Sequence, residues 1–262
     1  ANVMGGNIGA PGLGLPALDA TGTYVLELSS YQLELLPTAI FDVAILLNIT
    51  PDHLDRHGGM DGYVAAKQRI FDGQAAGQTA IVGIDDDPSK AIYDTLKASS
   101  DAAIVPISTR ATCAGGVYVQ NGWLVDDRNG SAIQVLELVR LETLPGTHNT
   151  QNVAAAFAAS SVIAGPGHHD AIVAAIGTFP GLAHRQELVG YQGAARFIND
   201  SKATNAEAAA HALSAYDNIY WILGGVAKDG GITSLVPLFE RVRHAFLIGE
   251  AADSFDETLQ GR

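Results

Sequence analysis

The chain is short of several residue types, and each shortage excludes a class of protein. Cysteine occurs once among 262 residues, as Cys113, so no disulfide can form within the chain. Lysine and arginine total 15 against 28 aspartates and glutamates, which gives a formal net charge of -13 at pH 7. A surface this acidic lacks the basic footprint of a nucleic-acid-binding protein, although a few local cations can still hold a small anion.

Long hydrophobic runs are also missing. No uninterrupted apolar stretch reaches about 18 residues, so the sequence predicts no transmembrane helix and no membrane partner. The single cysteine and the lack of a signal peptide favour a reducing cytoplasm. No coiled-coil seam is evident, so we expect a monomer.

Hydrophobic residues, in contrast, make up 47% of the chain, which is enough for a sizeable core. Short continuous apolar runs alternate with helical patterns, an order typical of parallel sheets whose two faces are covered by helices. The runs that we predict as buried strands span residues 24–28, 43–49, 79–84 and 102–108. We therefore predict an α/β fold with a mostly parallel central sheet.

Turn signals and a change of pattern divide the chain. Asn121-Gly122 and Asn129-Gly130 predict a small antiparallel hairpin region, because Asn-Gly favours the tight hairpin turn. After Phe179-Pro180-Gly181 a new alternation of strands and helices begins. We predict two domains, one of residues 1–179 and a second, Rossmann-like α/β domain of residues 180–262.

A lysine lies on the apolar face of a predicted helix over residues 61–72. Lys67 follows Tyr63 by one helical turn and precedes Phe71 by one turn. Such a lysine either extends its amine to solvent or is held for chemistry. Burial lowers the pKa of an amine, and a neutral amine can act as a base, a nucleophile or a carbamate precursor.

Two polar motifs follow predicted strands. Glu27 ends the first apolar run, and His53 lies in the polar segment 48–55 that follows the second run. Taken singly, these are a strand-end charge reaching solvent and a capped helix start. Ligand sites of α/β proteins lie at the carboxyl ends of strands, where a carboxylate suits Mg²⁺ and a neutral imidazole can bind a metal.

Asn149 and Asn152 follow His148 at the start of another predicted helix. Both are either simple capping residues or readers of an adenine edge, since an amide supplies both a donor and an acceptor. Arg185 follows the proposed domain boundary. It is either a surface arginine or a clamp for phosphates, which guanidinium groups bind in bidentate fashion.

The densest polar segment is Asn199-Asp-Ser-Lys-Ala-Thr-Asn205, which precedes a predicted helix. Helix N-termini favour anions. Asp200 suits a ribose hydroxyl, and Lys202 or Thr204 suits an anionic group; the alternative is a capped loop. Lys228 follows a glycine pair, where it either offers a point charge to a carboxylate or belongs to an ordinary turn.

The ordered set of motifs resembles the Mur ligases, the ATP-dependent amide-forming enzymes of peptidoglycan assembly. The matching segments run through essentially the whole chain in this order: Gly-Gly-Asn-Ile-Gly, Leu-Glu-Leu-Ser-Ser-Tyr-Gln, Asn-Ile-Thr-Pro-Asp-His-Leu-Asp-Arg, Ala-Ala-Lys-Gln-Arg-Ile, His-Asn-Thr-Gln-Asn and Gly-Leu-Ala-His-Arg. The segment 199–205 is similar to that of the members that add D-glutamate. The resemblance implies a central sheet of the ATPase type.

The resemblance also implies ATP and Mg²⁺ as cofactors and a role for each matched residue. The catalytic and metal-binding residues would be Glu27, His53 and Lys67, the last carbamylated by CO₂. The residues around ATP would be Asn149, Asn152, Arg185, Asp200 and Lys202. The residues around the substrates would be Asn7, Ser29 and Gln32 at the muramoyl-alanine end, and Thr204 and Lys228 at D-glutamate.

The implied activity joins D-glutamate to UDP-N-acetylmuramoyl-L-alanine through an acyl phosphate, in peptidoglycan precursor synthesis. The alternatives are a related ligase, such as a folylpolyglutamate synthase, and a non-catalytic nucleotide-binding module. Three parts of the family pattern do not occur in this sequence: the Gly-x-x-Gly-Lys-Ser/Thr phosphate loop of the central ATP-binding domain, the N-terminal nucleotide-sugar domain, and the far C-terminal portion of the amino-acid-binding domain. We therefore expect a piece of a longer protein that alone binds ATP poorly and turns over little or nothing.

Overall fold

A computed structural model describes residues 1–228 and 230–260. Strands β1 to β12 lie, in chain order, at Asn2–Gly6, Thr23–Glu27, Val43–Leu46, Thr79–Gly83, Ala103–Ser108, Val117–Gln120, Trp123–Asp126, Ile133–Glu137, Glu187–Gln192, Ala195–Asn199, Ile219–Gly224 and Val242–Ile248. Helices α1 to α8 lie at Ser30–Glu34, Leu54–His57, Met60–Gln68, Asp87–Ser99, Thr147–Ala164, His169–Gly177, Ala206–Ala215 and Ala252–Leu259. Short 3-10 helices lie at Gly12–Gly14, Arg69–Phe71, Leu138–Arg140 and Thr233–Arg241.

The chain forms two compact units that alternate along the sequence. The first contains residues 1–118, 126–132 and 158–165, and the second contains residues 119–125, 133–157 and the chain from Pro166 onward. The proposed domains of residues 1–179 and 180–262 stay a prediction.

The first unit is built on a parallel sheet with the order β3-β4-β5-β6. Thr79 of β4 lies opposite Val43 on one side and Ala103 on the other, and all five residues of β4 are buried. Helices α3 and α4 contribute buried side chains to the same core, including Tyr63 and Ile92. The prediction of a mostly parallel sheet with continuous apolar strands is confirmed here.

A second sheet of the first unit contains β1 and β2, paired in parallel so that Gly6 lies opposite Glu27. The run 24–28 does form a strand, but the prediction that it is buried is wrong. Val25 and Tyr24 are 53% and 46% exposed. Within the described residues β2 pairs with β1 alone, so its faces lack the helical cover that parallel strands usually have.

The hairpin region has the strand order β6-β7-β8, and most of its strand residues belong to the second unit. Asn121 and Gly122 join β6 to β7 with φ values of 52° and 80°. Positive φ at both central residues is the geometry that tight hairpins require, so the prediction for Asn121-Gly122 is confirmed. In the second pair, Asn129-Gly130, the glycine has a positive φ of 74° and the asparagine does not.

The remainder of the second unit contains two further strand pairs. β9 and β10 are antiparallel, and β11 and β12 are parallel. Buried side chains from α7, β11, the 3-10 helix Thr233–Arg241 and α8 form one core, with Leu213, Leu235, Phe239 and Leu259 among its members. The sequence patterns had not predicted β9, α6 or α8.

The segment Thr233–Arg241 forms a 3-10 helix and not a regular α-helix. Pro237 lies inside this segment and has no backbone N–H, so an α-helix would lose one of its hydrogen bonds there. Across the described part of the chain, none of the helices has the length and apolarity needed to cross a membrane.

Candidate functional site

The carboxyl ends of β1 and β2 bring Asn7 and Glu27 together. The Asn7 backbone N–H donates to the Glu27 carbonyl at 2.7 Å, and Asn7 Nδ2 donates to Glu27 Oε1 at 3.0 Å. Gly6 makes this approach possible, because its φ is 105° and a Cβ there would collide with the Glu27 carbonyl oxygen. The Glu27 carboxylate is exposed and accessible to a ligand.

Ser29 and Gln32 form a capping box at the start of α1. Ser29 Oγ accepts from the Gln32 backbone N–H at 3.3 Å, and Gln32 Oε1 accepts from the Ser29 backbone N–H at 2.9 Å. This pairing satisfies two backbone donors of the first helical turn. It also fixes both side chains a few residues beyond Glu27, and their assignment to substrate stays a prediction.

His53 precedes α2 in a left-handed conformation, with φ 51° and ψ 30°. Its backbone N–H donates to Asp52 Oδ1 at 2.9 Å, and its Nε2 lies 3.4 Å from Asp52 Oδ2. The edge of its ring meets Tyr31 with the ring centroids 5.2 Å apart. The His53 side chain is 49% exposed, so the imidazole is oriented by its neighbours and is still open to a ligand.

Lys67 lies near the end of α3, with Nζ 5.2 Å from the centroid of the Tyr63 ring. The side chain is half-buried, as its apolar-face position predicted. Burial lowers the pKa of the Lys67 amine, while the carboxylates of Asp52 and Glu27 act in the opposite direction. Two predicted metal residues, Lys67 and Glu27, are therefore within electrostatic range of each other.

The side chains at this edge of the sheet fit Mg²⁺ only if oxygens of a bound substrate complete the coordination shell of the ion. Within residues 1–228 and 230–260, no group of three or more His, Cys, Asp or Glu side chains is placed to hold a metal. Mg²⁺ commonly takes one or two carboxylates and completes its shell with phosphate oxygens and water. Glu27 offers one such carboxylate, and His53 offers an accessible nitrogen.

In the second unit, Asn149 and Asn152 lie one turn apart at the start of α5. Asn149 Nδ2 donates to the Pro145 carbonyl at 2.8 Å, and Asn152 Nδ2 donates to Asn149 Oδ1 at 3.4 Å. The two amides therefore share one face of the helix. His148 precedes them, and burial together with the nearby His211 lowers its pKa to about 4.

The segments that contain Arg185 and Asp200 are held together by two hydrogen bonds, one accepted by a side chain and one by a backbone carbonyl. Asp200 Oδ1 accepts from the Gln186 N–H at 3.0 Å, and the His184 carbonyl accepts from the Lys202 N–H at 3.0 Å. Burial raises the pKa of Asp200, against the lowering effects of the Gln186 hydrogen bond and the Arg185 charge. The structure thus brings together Arg185, Asp200 and Lys202 at the carboxyl end of β10.

Thr204 and Lys228 are both exposed, and their assigned contacts with D-glutamate stay predictions. Asn205 closes the polar segment by capping α7, because its side chain accepts from the Ala208 N–H at 2.8 Å. The capped-loop interpretation is therefore correct for Asn205, while Thr204 is left accessible one residue earlier.

Gln186 is a polar residue that the sequence analysis missed. It is 5% exposed, its φ is 46°, and its Nε2 lies 3.4 Å from His148 Nε2. Its Oε1 has no hydrogen-bond partner among the described residues. A neutral amide next to Arg185 gives no signal in sequence, because burial at this point depends on the distant α5.

These features define an α/β protein whose polar side chains gather at the carboxyl ends of strands, where such folds bind ligands. Residues 7–160 match the sequence family described as the Mur ligase middle domain. The chain therefore belongs to the Mur ligase family, as the motifs had predicted.

The relatives extend this match over nearly the whole chain. A Rhodospirillum rubrum protein named UDP-N-acetylmuramoylalanine--D-glutamate ligase is 55% identical over 99% of this chain and 54% of its own length. A Caulobacter protein of the same name is 51% identical over 99% of this chain and 55% of its own length. The chain thus spans about half the length of the curated relatives that it matches.

The fold is also shared with solved Mur ligase structures. A crystal structure of MurF from Acinetobacter baumannii aligns with a TM-score of 0.63 at 22% identity, covering 91% of this chain and 54% of that one. At this level of identity the likeness concerns the fold alone, and it confirms the predicted α/β class.

Proposed function

We propose that the full-length protein carrying this chain is an ATP-dependent ligase that joins D-glutamate to UDP-N-acetylmuramoyl-L-alanine. The observation that carries the proposal is the 55% identity, over 99% of this chain, to the Rhodospirillum rubrum D-glutamate ligase. The setting that we propose is the cytoplasm, with the protein acting as a monomer in cell-wall precursor synthesis.

The chemistry requires activation of a carboxylate and its capture by an amine. The alanyl carboxylate oxygen accepts the γ-phosphoryl group of ATP, which gives an acyl phosphate and ADP. The amine of D-glutamate attacks the carbonyl carbon, loses a proton and expels phosphate as the amide bond forms. The protein contributes mainly by positioning the two substrates and stabilising the developing negative charge.

In this proposal Glu27, His53 and a carbamylated Lys67 would hold Mg²⁺, which would supply positive charge next to the phosphate oxygens. The lowered pKa of Lys67 supports carbamylation, because only the neutral amine can attack CO₂. The nitrogen bonds to the carbon of CO₂ and loses a proton, so that an anion replaces a partly buried cation. Asn7 orients Glu27 through the hydrogen bond at 3.0 Å.

The second unit would supply the nucleotide and amino-acid contacts. The amides of Asn149 and Asn152 face adenine, supported by their shared helix face. Arg185, Asp200 and Lys202 surround the phosphates and ribose, supported by the hydrogen bonds that join their segments. Thr204 and Lys228 would contact D-glutamate. In the first unit, Asn7, Ser29 and Gln32 would contact the muramoyl-alanine end.

The test is phosphate release by the full-length protein with ATP and UDP-N-acetylmuramoyl-L-alanine. D-glutamate is compared with L-glutamate, L-lysine and diaminopimelate as the amine, and a folate with L-glutamate tests the related ligase. We expect release to depend on D-glutamate. Preference for another amine would overturn the substrate assignment, and release with none of them would overturn the ligase proposal itself.

A further inference from the structure

A second histidine, His57, is enclosed close to the proposed metal residues. Its side chain is only 1% exposed. Nε2 lies 3.0 Å from Ser30 Oγ, and Nδ1 lies 3.3 Å from Glu34 Oε1. In the neutral imidazole, a proton on Nδ1 faces the carboxylate, which only accepts, and Nε2 accepts from the Ser30 hydroxyl.

The order serine, histidine, carboxylate is that of a hydrolytic triad, but burial excludes this role. Ser30 is 2% exposed, so its hydroxyl cannot reach the carbonyl of a substrate. The three side chains instead connect α1 with the end of α2. The array is therefore a means of holding helices together.

Neighbouring contacts strengthen the same junction. Arg56 Nη2 donates to Glu34 Oε2 at 2.7 Å, so the Glu34 carboxylate contacts the side chains of two consecutive residues of α2, Arg56 and His57. The Arg56 guanidinium also lies 5.5 Å from the centroid of the Tyr31 ring. A charge-assisted pair that is partly shielded from water restricts helix motion more than a fully solvated pair does.

Helix α3 joins this junction through aromatic packing and a glycine. The ring centroids of His57 and Tyr63 are 5.5 Å apart. A Cβ on Gly62 would collide with the His57 carbonyl oxygen, so α3 can approach α2 this closely only with glycine at that position. Tyr63 in turn lies beneath the Lys67 amine, with Nζ 5.2 Å from the ring centroid.

His57 thus touches the helices that follow or contain the proposed metal residues. Glu27 ends β2 three residues before Ser30 of α1, His53 directly precedes α2, and Lys67 lies one turn after Tyr63 on α3. We propose that His57 is a positioning residue, whose polar contacts and ring packing hold α1, α2 and α3 so that Glu27, His53 and Lys67 face one ion. This inference rests on the proposed function and adds to it the residue that sets the geometry of the metal site.

The first test uses Ser30→Ala, which removes one partner of His57 and leaves the imidazole unchanged. Ser89→Ala is the matched control, because Ser89 on α4 is also fully buried and its Oγ has no hydrogen-bond partner among the described residues. In the full-length protein we expect Ser30→Ala to raise the half-saturating Mg²⁺ concentration roughly fivefold, with the KM for D-glutamate unchanged, since a buried hydrogen bond is lost. Ser89→Ala should match wild type.

Substitution of the histidine itself gives a graded comparison. His57→Gln keeps an amide that can bond to one partner, whereas His57→Phe keeps the ring packing and loses both polar contacts. We expect the Mg²⁺ requirement to rise more in His57→Phe than in His57→Gln. Equal Mg²⁺ requirements in Ser30→Ala, His57→Phe and wild type, with unchanged melting temperatures, would overturn the inference.

A second readout does not depend on ligase activity. Acetic anhydride labelling without bicarbonate, followed by mass spectrometry, reports the reactivity of the Lys67 amine, with the exposed Lys97 as internal reference. We expect Ser30→Ala to change the ratio of Lys67 to Lys97 labelling about threefold or more. If wild type shows no ligation, the proposed function fails, but the ratio of Lys67 to Lys97 labelling still tests the positioning role of His57. If His57→Phe does not fold, the labelling ratio of Ser30→Ala alone tests that role. A labelling ratio in Ser30→Ala equal to that of wild type rejects the positioning role.

Discussion

Asn7 and Glu27 are joined by two hydrogen bonds, one between their backbones at 2.7 Å and one between Asn7 Nδ2 and Glu27 Oε1 at 3.0 Å. The first bond lies one residue beyond the parallel pairing of β1 and β2, which ends at Gly6, and the second fixes the direction of the carboxylate. One strand therefore presents the proposed metal ligand and its neighbour orients it, as supporting residues do in metal sites.

We expect Asn7→Leu to raise the half-saturating Mg²⁺ concentration of the full-length protein by about tenfold, the low end for loss of a supporting hydrogen bond. The reason is that Glu27 loses its orienting donor while the size of the neighbouring side chain is kept. Asn2→Leu, at the other end of β1, is the control. Equal effects of the two substitutions on the Mg²⁺ titration would contradict this role.

Replacement of Lys67 should separate carbamate chemistry from simple positive charge. We expect Lys67→Ala and Lys67→Arg each to lose at least about a hundredfold in kcat, because both lack an amine that can be neutralised. A short carboxylic acid such as acetate should restore part of the activity of Lys67→Ala by replacing the missing anion. It should not restore Lys67→Arg. A fully active Lys67→Ala protein would rule out the carbamate.

His148 should make the second unit less stable in mild acid. Its folded pKa of about 4 lies below the ordinary value of 6.5, so the unfolded chain binds more protons between these two values. The contribution of neutral His148 to the free energy of unfolding is therefore fully present above about pH 6.5, and it is lost as the pH falls towards 4.

In His148→Gln this pH dependence should be reduced. We expect the difference in Tm between the variant and wild type to change by about 2–4 °C from pH 7 to pH 4.5, after allowing for partial exposure of the imidazole. His211→Gln should give a smaller change in the same direction, because the charge of His211 is the lesser cause of the shift. A constant difference in Tm across this range would refute the assignment.

The single thiol should be inert in the native protein. Burial raises the pKa of Cys113 to about 12, so the thiolate is scarce at pH 8. We expect iodoacetamide to modify the Cys113 peptide roughly a thousandfold more slowly in the native protein than in denaturant. Comparable rates in the two conditions, measured by mass spectrometry, would show that the thiol is accessible.

The central strand of the first unit should carry much of its stability. Ile81 on β4 is fully buried, and Ile81→Ala should lower the free energy of unfolding by about 2–5 kcal/mol through lost contacts and a residual cavity. Ile133→Ala is the control, since Ile133 is 49% exposed and should change stability by less than about 0.5 kcal/mol. Urea unfolding measures both; a small effect at Ile81 would show that the core collapses around the gap.

Local patterns predicted the elements whose signals lie within a few residues. Asp86 accepts from the Ser89 N–H at 2.9 Å and caps α4, whose first turn contains Pro88, so residues next to each other in sequence set the start of this helix. The inward face of Lys67 was predicted by spacing alone. In both cases the feature depends only on the geometry of a single helix.

Relationships between distant residues could not be predicted in the same way. His57 and Ser30 are 27 positions apart, and Gln186 and His148 are 38 apart. No spacing rule connects such pairs, because helix packing places them together. The exposure of Val25 and the short strand β9 escaped prediction for a related reason, since burial and pairing depend on neighbouring elements.

The left-handed backbone at His53 limits how the site can be redesigned. A φ of 51° is tolerated by asparagine, aspartate and glycine, whereas a β-branched residue would be strained there. Two of the three tolerated residues carry oxygen donors. Replacing His53 by asparagine or aspartate would therefore exchange a nitrogen donor for an oxygen donor without disturbing the chain path, and would change which divalent ions the proposed metal site prefers.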